Sequence, residues 1–70
     1  MKTYSLTMTN KQGASEGSMH ATPEGVIARK NTWLLAGMTA RVVNEITHEL
    51  VYEGPAARLS LKSFTQAETR

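Results

Sequence analysis

Seventy residues suffice for one small domain with a core near the lower limit for unaided folding, because chains of this size bury only about 60% of their unfolded surface. The chain has no cysteine, which excludes disulfides, thiolate zinc sites and thiol nucleophiles and fits a reducing cytoplasm. A formal net charge of +2 permits nucleic acid or an acidic protein as partner without selecting either, and no apolar run approaches a membrane span.

Tyr4, Leu6 and Met8 alternate with Ser5, Thr7 and Thr9, the period of a half-buried strand. Met1 to Thr7 lacks the apolar run of a secretory signal. Asn10 to Gly17 contains two glycines and no apolar side chain larger than Ala14, so it reads as a mobile loop. Ser18 to Ala21 reads as a short second strand with Met19 and Ala21 inward.

Thr22 to Gly37 is the organising stretch. Thr22 suits the N-cap, Pro23 the first helical position, Glu24 the positive end of the dipole and Gly37 the stop. On a helical projection Val26, Ile27, Trp33 and Leu34 gather on one side, with Lys30 in the middle of the stripe. Two readings of Lys30 are open. Its alkyl stem lies over the core edge with the ammonium in water, or the helix is short and Trp33 to Ala36 are irregular. An all-β alternative pairs Val26 to Arg29 with Thr32 to Ala36 around Lys30-Asn31. Gly25 in the first turn costs up to ~1 kcal/mol relative to Ala.

Further on, Met38, Ala40, Val42 and Ile46 share one parity, and Thr39, Arg41, Val43 and Glu45 the other. Leu50 to Glu53 forms a second strand, paired as a hairpin through a polar loop. Gly54-Pro55 signals a turn. Ala57, Leu59 and Leu61 then alternate with Arg58, Ser60 and Lys62, the pattern of an amphipathic last strand. Residues 65–70 have no apolar anchor beyond Ala67 and are expected to fray. The expected fold is α+β over residues 1–64, in the order β-β-α-β-β-β. One helix packs on a small antiparallel sheet of four to five strands.

His20 and His48 lack metal-ligand spacing, no serine sits in a G-x-S-x-G context, and Gly13, Gly17 and Gly25 form no phosphate-cradling loop. The chain therefore reads as non-enzymatic and free of cofactor or metal. The basic residues carry more information. Arg41, Arg58 and Lys62 fall on the outward parity beside Ser5, Thr7, Thr9, Thr39 and Ser60. That predicts a hydroxyl-rich, cationic sheet face compatible with a DNA or RNA backbone. The plainer reading is a solvated face whose cations protect strand edges. Aromatic stacking platforms are scarce, since Tyr4 and Tyr52 lie on the apolar parity. Arg29 and Lys30 form a second basic pair, either solubilising or, with Trp33, part of a contact surface. Trp33 itself is expected in the core.

Lys2-Thr3-Tyr4 opens the first strand, Ser15-Glu16-Gly17 ends the polar loop and Ala21-Thr22 leads into the helix. Gly37 closes that helix, and Ala40-Arg41-Val42-Val43-Asn44-Glu45 begins a hairpin. In this layout, from the start to about Leu61, the chain resembles small phage-encoded inhibitor proteins, among them one group of anti-CRISPR proteins. The resemblance implies a non-enzymatic inhibitor in the host cytoplasm that binds a CRISPR surveillance complex and obstructs hybridisation of target DNA. Because such complexes hold nucleic acid in a positive channel, contact would rest on shape, hydrogen bonding and Glu16, Glu45, Glu49 and Glu53. Two alternatives stand beside it: a small basic nucleic-acid-binding module, and a self-associating structural or adaptor subunit such as a homodimer.

Overall fold

A computed structural model describes residues 2–68. The elements are β1 (Tyr4–Thr9), β2 (Ser15–His20), α1 (Pro23–Trp33), β3 (Thr39–Asn44), β4 (Glu49–Pro55), a 3₁₀ turn (Ala56–Arg58) and α2 (Leu61–Glu68). The strands form one antiparallel sheet in the order β2-β1-β3-β4. The α+β fold class expected from the sequence is what forms, with four strands and a second, short helix where a last strand was expected.

The stretch expected to be a mobile loop is instead a tight turn followed by strand. Asn10 N–H donates to the Ala14 carbonyl at 2.9 Å and Gly13 N–H to the Asn10 carbonyl at 3.0 Å. The Asn10 side-chain oxygen accepts from the N–H groups of Gln12 and Ala14. Gly13 takes φ +88°, a conformation that costs glycine little. This turn fixes the register of β2 on β1, with Ser5 opposite Met19 and Leu6 opposite Ser18. A hairpin turn sets which parity faces the core. Met19 therefore faces outward and is 42% exposed. Ser18 and His20, not Met19 and Ala21, occupy the inward parity of β2.

The Thr22 hydroxyl accepts from Gly25 N–H at 3.1 Å, and Pro23 and Glu24 occupy the first turn of α1. The cap read from the sequence forms, and the all-β alternative does not. The helix stops at Leu34 rather than Gly37; Gly37, at φ +81°, serves the turn that follows. Gly25 allows close approach to β2, since a Cβ there would lie 3.4 Å from the His20 side chain. Val26 is fully buried and Lys30 is only 6% exposed. Among the described residues no buried side-chain nitrogen lacks a partner. Lys30 thus lies along the core by its stem, the first of the two readings.

β3 keeps the expected parity, with Ala40 and Val42 buried. Ile46 does not share it; it lies in the turn after β3 and is 52% exposed. In that turn the Asn44 side-chain oxygen accepts from Ile46 and Thr47, while His48 takes φ +64°. β4 breaks register between Val42 and Val43, leaving Val51 as the extra residue. Such a bulge re-aims side chains. Val51 is buried and Tyr52 packs against the core beside it. The Tyr52 hydroxyl, over Gly54, donates to the Pro55 carbonyl at 2.5 Å.

The largest correction concerns Ala57 to Lys62. Pro55 ends β4, and Ala56 and Leu59, three residues apart as a 3₁₀ turn requires, are buried. α2 opens with Ser63 N–H donating to the Ser60 carbonyl at 3.0 Å, while Ser60 N–H donates to the Ser63 hydroxyl. That is half of a capping box. The helix continues through residues 65–68, where fraying was expected; Thr69 and Arg70 lie outside the described residues. Phe64 is buried and meets the Tyr4 ring edge-on, centroids 5.1 Å apart at 87°. α1 lies over β1 and β2 and α2 over β4, and the helices touch.

The two readings of this segment separate experimentally. Phe64→Ala is expected to cost about 3–5 kcal/mol, a large part of the stability of so small a domain. Leu61→Ser, at a position 46% exposed, is expected to stay within about 0.5 kcal/mol. Urea unfolding of both variants measures the difference; a Leu61→Ser loss as large as that of Phe64→Ala would restore the strand.

Candidate interaction surface

The helices cover one face of the sheet, so the other is open to water, and the registers place its side chains in rows. One row runs Met19, Ser5, Val43, Leu50, with one residue from each strand. Met19 is 42% and Leu50 43% exposed, and Val43 is half-buried. The adjacent row runs Gly17, Thr7, Arg41, Glu53, and the third Ser15, Thr9, Thr39, Pro55. Ser5 donates to the Glu45 carboxylate at 3.4 Å, tying β1 to the turn after β3.

The cationic sheet face does not assemble. Arg41 Nε stands 3.8 Å from a Glu53 carboxylate oxygen, with both side chains 60% exposed. An ion pair this wet contributes about 0–1 kcal/mol at most, yet it balances the one cation that the strands place on this face. Arg58 sits on the 3₁₀ turn and Lys62 on α2. Both stand on elements of the helix layer, away from Arg41, because the chain leaves the sheet at Pro55. Arg29 lies over the Trp33 ring, 5.2 Å from its centroid, and Lys30 is spent on the core. Of the five expected contact residues, only Arg41 is on the open face. Trp33 is half-buried rather than fully inside.

Sequence reasoning missed the apolar row. Met19 was assigned to the core because a four-residue strand ending at Ala21 has no turn to set its register. Val43 shares the outward parity of Arg41, as its alternation predicts, but Leu50 carries no such signal, since the bulge that turns it outward is a pairing irregularity. An open groove of about 350 Å³ lies between the end of α1 and the β1–β2 hairpin, lined by Met8, Glu16, Trp33, Leu35 and Met38 among others. Glu16 is its one ionisable lining residue among those described. A single carboxylate supplies neither an acid–base pair nor a ligand set, and the described residues contain no metal-binding cluster.

Compared with protein-family models, curated proteins and solved structures, the chain matches none.

Among the described residues, one titrating group is displaced from its ordinary pKa. His20, beside its Ser18 hydroxyl partner at 2.6 Å, has its pKa lowered by burial first, then by the positive charges of Arg29 and Lys2. A depressed folded-state pKa means that the unfolded chain binds the proton more readily. The His20 contribution to stability is therefore complete above the unfolded value of about 6.5 and is lost as pH falls through the folded value. In an NMR titration Arg29→Ala is expected to move the His20 midpoint upward. An unchanged midpoint would leave burial and Lys2 as the causes.

Proposed function

We propose that this protein acts by binding another protein, as a non-enzymatic inhibitor or adaptor in the host cytoplasm. The resemblance to phage anti-CRISPR proteins supplies the target class: a CRISPR surveillance complex whose pairing with target DNA is obstructed by the bound domain. The observation that carries the binding reading is the exposed apolar row across an open sheet face whose one arginine is balanced by Glu53. Interface centres are depleted in charge and rely on buried apolar anchors. Covering Leu50, Met19 and Val43 would each return part of the ~1.5–3 kcal/mol of full side-chain burial. Ile46, exposed in the adjoining turn, extends the same surface. A face with no surplus positive charge, bearing Glu45 beside the Arg41–Glu53 pair, also removes the like-charge conflict with a positive guide channel.

A second reading follows the exposed cations to the helix layer, where Arg29, Arg58 and Lys62 stand. It makes that layer a contact for a nucleic-acid backbone. Fluorescence anisotropy distinguishes it, because such binding weakens steeply with salt.

Purified surveillance complexes, each loaded with guide and offered target DNA, supply the test. Stoichiometric addition of the chain is expected to abolish DNA binding by one of them in a gel-shift assay. Leu50→Asp combined with Ile46→Asp is expected to weaken that inhibition at least tenfold while the fold is retained. No loss of DNA binding in any complex removes the proposed target. Inhibition indifferent to the double variant removes the proposed surface.

A further inference from the structure

The two edges of the sheet are built differently. β4 is interrupted by the bulge at Val51, ends in Pro55, carries Glu49 and Glu53 and has α2 packed on it. These are the devices that discourage edge-to-edge pairing. β2 has neither the bulge nor the proline; Glu16 is its one carboxylate, and α1 lies over its inner face. Its six residues pair with β1 in unbroken register, and it contains no proline and no lysine.

The first turn also fixes which backbone groups β2 offers. Asn10 and Ala14 lie directly opposite in the β1–β2 register and are hydrogen-bonded to each other. In an antiparallel ladder such pairs alternate with non-bonded ones. Met8–Glu16, Leu6–Ser18 and Tyr4–His20 are therefore the bonded pairs. It follows that the N–H and C=O groups of Ser15, Gly17 and Met19 point to the open edge.

We propose that β2 pairs antiparallel with β2 of a second copy about a two-fold axis at Ser18, joining two four-stranded sheets into one of eight strands. Only registers that set outward-bonding residues opposite one another are open to two such edges. Centred on Glu16, the pairing would face two carboxylates. Centred on Gly17, it would put Glu16 opposite the partner's Ser18 and Ala14 opposite the partner's His20. Centred on Ser18, it bonds Gly17 to the partner's Met19 and sets Glu16 opposite the partner's His20, twice by symmetry.

Directly opposite non-bonded positions bring side chains closest, and opposite charges there are stabilising. Lys2 and Arg29 act on the same end of β2, so an arriving carboxylate is attracted whichever form the imidazole takes. On the open face, Met19 comes to lie over the partner's Gly17, which has no side chain to obstruct it. An edge of six residues is smaller than a standard stable interface. The dimer is accordingly weak and concentration-dependent. This inference shares only Met19 with the functional proposal, whose test uses Leu50 and Ile46 at the far side of the sheet.

The absence of cysteine makes single-cysteine variants clean probes. Ser18→Cys, on the axis, is expected to give a covalent dimer under mild oxidation, because directly opposed strand positions match disulfide spacing. Gly17→Cys and the open-face control Thr7→Cys are expected to remain largely monomeric. Cross-linking of Gly17→Cys in preference to Ser18→Cys would overturn the register. For the cysteine-free chain, sedimentation is expected to show a reversible dimer. Met19→Pro, which removes an outward donor and no β1 bond, should abolish it with the circular dichroism unchanged. Glu16→Lys should weaken it about tenfold, and pairing Glu16→His with His20→Glu should restore it. A monomer throughout the high micromolar range overturns the proposal.

Discussion

The edge-on contact of Phe64 with Tyr4 is the interaction on which the architecture turns. α1 alone reaches β1 and β2, and its inward stripe is narrow, with a lysine at its centre. Without a second element the β3–β4 half of the sheet would have one face bare. The chain leaves β4 at Pro55, turns back through the buried Ala56 and Leu59, and brings α2 down so that Phe64 closes the layer. Aromatic pairs of this geometry contribute beyond the area they bury. In a chain with so few large apolar residues, that closure completes the core.

Consequences for function follow from which face is closed. Bringing the last segment into the helix layer takes Arg58 and Lys62 off the sheet and leaves Arg41 balanced by Glu53. The open face is left without surplus positive charge, hydroxyl-rich and crossed by an apolar row. The positive residues concentrate on the side already covered by helices. The proposed protein contact on one face and the alternative phosphate contact on the other are thus separable, and the first has the better-defined surface.

The three-residue turn after Asn10 has a comparable reach. By fixing the β1–β2 register it sends Met19 outward, Ser18 and His20 inward and the backbone of Gly17 to the edge. His20 is then crowded by the first turn of α1, which only a small residue at position 25 allows to approach so closely. One local hydrogen-bonded turn accordingly governs the end of the apolar row, the environment of the histidine and the chemistry of the free edge.

Local information in the sequence determined what local physics controls. Thr22 and Pro23 specified the start of α1 because a cap needs only its own first turn, and the alternation in β1 and β3 named their buried faces. The α+β class followed from those elements. Three features needed the tertiary structure. Ala57, Leu59 and Leu61 alternate like a strand, yet burial selects Ala56, Leu59 and Phe64, because Pro55 ends the sheet and the exposed half of the core draws the chain back over it. The facing of Met19 depends on pairing across a turn, and that of Leu50 on a bulge. Both are properties of two strands together. A face exists only once the fold has decided which side is covered, and no stretch of sequence read alone contains that decision.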